Sequence, residues 1–261
     1  MNRSPLAGRR IVVTRPREQA AALAARIRDA GGEPIVFPAI EIRDAPDPGA
    51  VLALLGRLEE FDLAIFVSPT AVRKGLELVR TKRAGKSWPA RVRLAAIGRG
   101  SGWALEREGF SAVIAPQEQA GSEALLAMPE FARVGGRRVL IFRGDGGREL
   151  LGDTLAARGA HVEYAECYRR ERPAADSAPL LAAWERGAVD AVTVSSAEGL
   201  ANLVGMLDEP GRERLAKTPL FVPHRRVAEA AQRLGVHEAI VAGPGDGDVV
   251  ERLVAYFSGK S

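Results

Sequence analysis

Residues 138–170 read RVLIFRGDGGRELLGDTLAARGAHVEYAECYRR, and the same order of features runs once before, through residues 10–43, RIVVTRPREQAAALAARIRDAGGEPIVFPAIEIR. Each stretch opens on a short apolar strand (residues 11–13 and 139–142) and breaks at an arginine followed by a turn-former, Arg15-Pro16 or Arg143-Gly144. A helical pattern follows, a glycine stops it, and a second, long and partly alternating strand comes after. Arg15 and Arg143, Leu23 and Leu151, and Gly31 and Gly159 are each 128 positions apart. Asp62-Leu-Ala-Ile-Phe-Val-Ser68 recurs at the same step as Asp190-Ala-Val-Thr-Val-Ser-Ser196, and the turn at Gly109 recurs at Gly235. A repeat this long is a duplicated domain and not a solenoid unit.

The 261 residues, 46% of them hydrophobic, suffice for two domains with buried cores. Strands alternating with helical patterns predict an α/β fold with mainly parallel pairing. Lys and Arg exceed Asp and Glu by four, which suits anionic ligands. The one dense basic run, RTKRAGKSWPARVR at 80–93, reads as a solvated loop between a helix and a strand. Aromatic residues make up only 5% of the chain, too few stacking platforms to favour nucleic acid. A single cysteine, Cys167, precludes an intrachain disulfide and fits a reducing cytoplasm. The opening MNRSPLAGRR has no apolar core of a secretory signal, and no run is long enough to span a bilayer, so a cytoplasmic protein without membrane contact is expected.

The remaining elements follow in order. Pro16 stands where the first helix begins, and Pro38 interrupts a strand over 34–43 that is longer than a sheet needs. That strand and its counterpart at 161–170 read as connectors between domains. Asp47 and Ser68 are predicted helix caps. Gly98–Ser101 and Gly121-Ser122-Glu123 begin further helices, and Ser195 with Glu198 has capping-box spacing. A last amphipathic helix is expected from about Asp248. A simple tandem would divide the chain near residue 130. The long connectors suggest an exchange instead, with residues 1–37 joining 172–261, residues 44–162 forming the other domain, and 38–43 and 163–171 as linker strands.

Five strands end in small or polar residues that start a helix: Thr14-Arg15-Pro16, Ser68-Pro69, Gly98–Ser101, Arg143–Gly147 and Ser195-Ser196. In parallel sheets these lie at carboxyl ends, where ligands bind, and helix N-termini there offer free N–H groups to carboxylates or phosphates. Two such rims facing one cleft would grip a multi-anionic ligand. Alternatively, each serine merely caps its own helix. A dinucleotide reading of Gly144–Gly147 with Glu163 and Glu166 fails because the spacing is G-x-G-G and the first copy lacks the glycines. His161, His224 and His237 have no metal-type spacing with one another or with Cys167, and no G-x-S-x-G nucleophile motif occurs. His224, at a strand end, is the histidine with a candidate role. Tyr168 is either an amphipathic strand tyrosine or a group facing the space between domains.

The ordered set of V-T-R-P (13–16), F-P-A-I-E-I (37–42), F-V-S-P-T-A-V (66–72), A-I-G-R-G-S (96–101), G-S-E-A-L-L (121–126), R-G-D-G-G-R-E-L-L (143–151), C-Y-R-R (167–170), V-S-S-A-E-G-L (194–200) and V-P-H-R-R-V-A (222–228) resembles the uroporphyrinogen-III synthase family. Val67 and Ser101 depart from it, each standing where threonine is usual. The resemblance implies two similar three-layer parallel-sheet α/β domains joined by a two-stranded β linker, the first domain discontinuous. It implies cofactor-free, metal-free cyclisation of hydroxymethylbilane, a linear tetrapyrrole with carboxylates on every ring, through a spiro intermediate that inverts the terminal ring. It further implies a monomer, in transient contact with hydroxymethylbilane synthase. Tyr168 is the implied proton donor to the departing hydroxyl. Arg15, Ser68, Gly98, Ser101, Ser122, Arg143, Arg148, Ser195, Ser196 and His224 are the expected substrate-binding residues. Because backbone amides carry most of the grip, replacing Ser68 or Ser196 alone is expected to have a small effect. The rival readings are a two-domain binding protein for an anionic metabolite and a nucleotide-dependent oxidoreductase.

Overall fold

A computed structural model of the chain describes residues 4–45, 47–117, 121–147 and 149–259. The elements run β1 (Arg10–Val13), α1 (Arg17–Asp29), β2 (Glu33–Val36), β3 (Glu41–Asp44), α2 (Pro48–Gly56), β4 (Leu63–Phe66), α3 (Pro69–Lys82), β5 (Arg93–Ala96), α4 (Arg99–Arg107), β6 (Val113–Ile114), α5 (Ser122–Leu126) and α6 (Pro129–Ala132). They continue with β7 (Arg138–Gly144), α7 (Leu150–Ala157), β8 (His161–Glu171), α8 (Ala178–Glu185), β9 (Ala191–Thr193), α9 (Ala197–Met206), α10 (Glu209–Ala216), β10 (Leu220–Val222), α11 (Arg225–Arg233), β11 (Ala239–Val241) and α12 (Asp246–Phe257). None of the described helices is long and apolar enough to cross a membrane.

The chain divides into two compact units, Met1–Glu41 with Glu171–Ser261, and Ile42–Arg170. The first holds a parallel sheet in the order β11-β10-β9-β1-β2. The second holds the order β3-β8-β7-β4-β5-β6, parallel from β8 to β6. The duplication is visible in the pairing itself. β1 and β2 correspond to β7 and β8, and β9, β10 and β11 to β4, β5 and β6, so one order is the other reversed with β3 added. Register follows the step too: Arg10 pairs with Glu33 and Val13 with Val36, while Arg138 pairs with His161 and Ile141 with Tyr164.

Strand residues alternate between two faces, and helices cover both. In the first unit, Ile11 and Val13 pack with Leu23 and Ile27 of α1 and Val249 and Leu253 of α12. Val12 packs on the opposite side with residues of α8 to α11, among them Leu200, Leu203 and Val227. In the second unit, Phe66 and Phe142 face α2, α3 and α4, and Ile65 and Ile141 face α5, α6 and α7. Burying each such side chain stabilises by about 1.5–3 kcal/mol, so short strands suffice to hold each sheet between its helices. Phe66 and Phe142 stack with centroids 4.3 Å apart, and α3 comes down on them at Gly75, where a β-carbon would lie 2.6 Å from the Phe142 ring.

Several local expectations need correction. The basic run 80–93 is not simply a solvated loop. Arg83 is buried, its guanidinium donating to Glu59 and to the Ser87 carbonyl, and Trp88 packs against the core while donating to the Val92 carbonyl. The cap of α9 is Ser196, whose Oγ accepts from the Gly199 N–H at 3.0 Å; Ser195 precedes it and is exposed. Pro16 is the residue before α1 and not within it, and α12 begins at Asp246 because the Asp248 carboxylate reaches back to the Gly245 N–H. Helix α10, capped by Asp208 on the Gly211 N–H, has no counterpart in the sequence reading.

Candidate active site

In the second unit a cavity of about 300 Å³ opens at the carboxyl ends of β4, β5 and β7. From β4 the chain proceeds through α3 to β5 on one side, and from β7 through α7 to β8 on the other. Neighbouring strands whose connections leave in opposite directions create a crevice at their carboxyl ends, the usual ligand position in open α/β sheets. Ser68, Ser122, Arg143, Gly144, Tyr164 and Tyr168 are among its walls.

Tyr168 reaches this cavity through an irregularity in β8. Arg143 pairs with Glu166 but Gly144 pairs with Tyr168, so Cys167 is an extra residue in the ladder. Such an insertion re-aims the side chains that follow it. The Cys167 thiol is consequently turned into the core, donates to the Ala165 carbonyl at 3.2 Å, and is pushed up to about 12 by burial. The Tyr168 ring closes against the chain at Gly144, where a β-carbon would come within 2.7 Å of it. Only glycine leaves room for the ring there. The Tyr168 hydroxyl sits 3.0 Å from Ser68 Oγ, and that oxygen accepts the Ala71 N–H at 2.9 Å, capping α3.

Arg143 leaves β7 one residue earlier and is buried. Its Nε and Nη2 donate to Glu166 Oε1 at 3.1 and 3.0 Å, and Glu149 lies 3.7 Å from Nη2. The guanidinium rests 4.2 Å from the centre of the Tyr164 ring, an attractive placement of charge on an aromatic face. Nη1 is buried and has no hydrogen-bond partner among the described residues. Burial raises the Tyr164 pKa, and the Arg143 charge opposes that rise. The turn after β7 uses Gly146 and Gly147 at φ of 65° and 121°, a backbone region that side chains strongly disfavour.

The structure thus brings together four of the expected residues, Ser68, Ser122, Arg143 and Tyr168. Gly98 and Ser101 are buried at the start of α4 beside Ile97, which does line the cavity. Arg148 lies outside the described residues. Arg15, Ser195, Ser196 and His224 belong to the first unit, at the carboxyl ends of β1, β9 and β10. There Arg15 is ion-paired with Asp246, Ser196 caps α9, and His224 is the exposed residue preceding α11. Thr14 Oγ1 donates to the Thr193 carbonyl and Thr193 Oγ1 to the Val12 carbonyl, at 2.8 and 3.0 Å, fastening β1 to β9 at the same edge. Among the described residues no three His, Cys, Asp or Glu side chains are placed to hold a metal ion. The sequence pattern marks no role for Tyr164, and marks Glu166 only in the rejected dinucleotide reading. A spacing of four on a regular strand would put Tyr164 and Tyr168 on one face, but the extra residue Cys167 sends them into the clusters on opposite faces, so their spacing gives no signal.

Comparison with known proteins places this architecture. The family model described as Uroporphyrinogen-III synthase HemD matches residues 21–248. Uroporphyrinogen-III synthase of Salmonella typhimurium is 36% identical over 245 residues, 94% of this chain and 99% of that one. The Escherichia coli K12 enzyme of the same name is 35% identical over the same shares. Among solved structures, uroporphyrinogen III synthase of Thermus thermophilus aligns with a TM-score of 0.64 at 22% identity, covering 97% of this chain and all of that one. The Helicobacter pylori protein aligns with a TM-score of 0.59 at 13% identity over 95% of this chain and 99% of that one. These two likenesses concern the fold. With a family model spanning most of the sequence and two bacterial enzymes matched over nearly their full length, the chain belongs to the uroporphyrinogen-III synthase family.

Proposed function

We propose that this protein closes hydroxymethylbilane to uroporphyrinogen III without a cofactor, expelling water and inverting the terminal ring, with Tyr168 as the proton donor. The substrate closes unaided to the wrong isomer, so the catalyst must hold one folded conformer and exclude direct closure, a task of orientation. The observation that carries this reading is the Tyr168 hydroxyl, held at a cavity wall by Ser68 and Gly144 next to the buried Arg143. A phenol so placed can hand its proton to the leaving hydroxyl as the carbon–oxygen bond breaks. The attacking ring then bonds through its substituted carbon, the spiro intermediate reopens, and closure releases a proton that restores the phenol. Arg143 and the positive N-terminal ends of the helices suit the substrate carboxylates.

Incubation with hydroxymethylbilane, followed by oxidation and identification of the porphyrin isomer, tests the activity. Type III product at a rate above spontaneous closure is expected, and Tyr168→Phe should lower that rate by about a hundredfold with the fold intact. Saturable binding with only the type I isomer would instead identify a non-catalytic binding protein. A near-wild-type rate in Tyr168→Phe would remove Tyr168 from the mechanism.

A further inference from the structure

The hydroxyl of Tyr168 is part of a chain of three groups. Ser68 Oγ lies 3.0 Å from it and accepts the Ala71 N–H at 2.9 Å. A serine hydroxyl has one proton to donate and lone pairs to accept with. With the amide on one lone pair, the serine can donate to the phenol oxygen or accept from it; in the donating arrangement the phenol's own proton is left for the cavity. The amide belongs to the first turn of α3, a helix of 14 residues, whose N-terminal end carries partial positive charge.

We propose that Ser68 is a positioning residue for the ring closure, donating its hydroxyl to the Tyr168 oxygen and thereby steadying that oxygen as it gives up its proton. This rests on the reading of Tyr168 as the proton donor. In the step itself the substrate carbon–oxygen bond breaks, its electron pair leaves with the hydroxyl, and the Tyr168 proton completes a water molecule. The charge left on the phenol oxygen is met by the Ser68 O–H, whose oxygen is in turn held by the Ala71 amide. The proton lost when the closed ring regains its aromatic pyrroles returns to Tyr168.

The duplication supplies an internal comparison. Ser196, 128 positions after Ser68, makes the same cap with the Gly199 N–H at 3.0 Å. The position 128 before Tyr168 is Ile40, which is buried and packs at the same first turn: a β-carbon on Gly199 would lie 3.4 Å from Ile40 Cδ1 and 3.3 Å from Ser196 Oγ. In the first unit the serine's contact is that of a cap, with no hydroxyl from the position of Tyr168 beside it. In the second unit the same serine has a phenol beside it, a use that capping does not require.

The test compares Ser68→Gly, Ser68→Thr, Tyr168→Phe and the double variant Ser68→Gly/Tyr168→Phe, by kcat and KM for type III formation together with thermal midpoints. Glycine is a tolerable N-cap, so Ser68→Gly removes the hydroxyl while the helix keeps its start. In place of the small effect expected from the sequence, and because the Tyr168 hydroxyl lies 3.0 Å from Ser68 Oγ, Ser68→Gly is expected to lower kcat by about 10- to 100-fold with KM changed less than about twofold. Ser68→Thr, which restores a hydroxyl, should recover kcat to within about threefold of wild type, and in the Tyr168→Phe background Ser68→Gly should add less than about threefold. A wild-type kcat in Ser68→Gly, or a full additional loss in the Tyr168→Phe background, overturns the role of Ser68 while leaving Tyr168 as donor. A wild-type kcat in Tyr168→Phe overturns the donor reading itself.

Discussion

The Asp62 carboxylate accepts the backbone N–H of Arg138 at 2.9 Å, and 128 residues on, Asp190 accepts the backbone N–H of Arg10 at 2.8 Å. In each unit the residue before one inner strand thus secures the first residue of its neighbour, at the amino ends of the strands. The Arg138 amide, and next the Arg91 guanidinium, hold the Asp62 carboxyl below the usual carboxylate range. A lowered folded-state pKa means that the ionised form is favoured by folding. Its contribution is complete above the unfolded value of about 3.9 and is lost as pH falls through the folded value. Acid titration of the thermal midpoint should therefore show a loss below about pH 4 that is smaller in Asp62→Asn. At neutral pH, Asp62→Ala should cost about 1–2 kcal/mol by leaving the Arg138 amide without its partner. Superimposable acid profiles for wild type and Asp62→Asn would rule the contribution out.

Gly144 offers a sharper steric test. A methyl group there would stand 2.7 Å from the Tyr168 ring. Overpacking of this kind costs about 1–3 kcal/mol. Gly144→Ala should therefore lower the thermal midpoint moderately and, by displacing the phenol from Ser68, reduce type III formation as much as Tyr168→Phe does. Retention of full turnover would show that the ring can move without consequence.

Much of this was legible because the sequence states it twice. The 128-residue step ties Arg15 to Arg143 and Ser68 to Ser196, and the strand registers obey it residue for residue. The helix starts at Asp47 and Ser68 were equally readable, since a short polar side chain before proline has few other roles. What was hidden depends on contacts across strands. Nothing in the alternation of β8 marks Cys167 as the extra residue that turns Tyr168 toward the cavity. Nothing in RGDGGRE shows that Arg143 already lies against Glu166, or that Arg83 is buried while its neighbours in the basic run are not.

Ser195 and Ser196 show the limit at its narrowest. Capping-box spacing to Glu198 favours Ser195, whereas the repeat favours Ser196 through Ser68, and the repeat wins. Ser196→Ala should cost about 1 kcal/mol of stability, as loss of an N-cap does, and Ser195→Ala less than about 0.5 kcal/mol. Chemical denaturation of the two variants decides it. Equal losses would mean that the helix start shifts by one residue when its cap is removed.

Arg143 is the remaining case, because its charge is already engaged. Glu166 takes Nε and Nη2, while Nη1 is buried without a partner. An anionic substrate at this cavity therefore competes with Glu166 for the guanidinium. Removing that competitor's charge by Glu166→Gln should lower the KM for hydroxymethylbilane severalfold, with kcat little changed. Arg143→Met should raise KM by about tenfold or more, since a charge-assisted hydrogen bond contributes about 1.5–3 kcal/mol. The two substitutions act in opposite directions only if the arginine serves the substrate. A parallel rise in KM, accompanied by lowered thermal midpoints in both variants, would show that Arg143 and Glu166 form a structural pair that fastens β7 to β8.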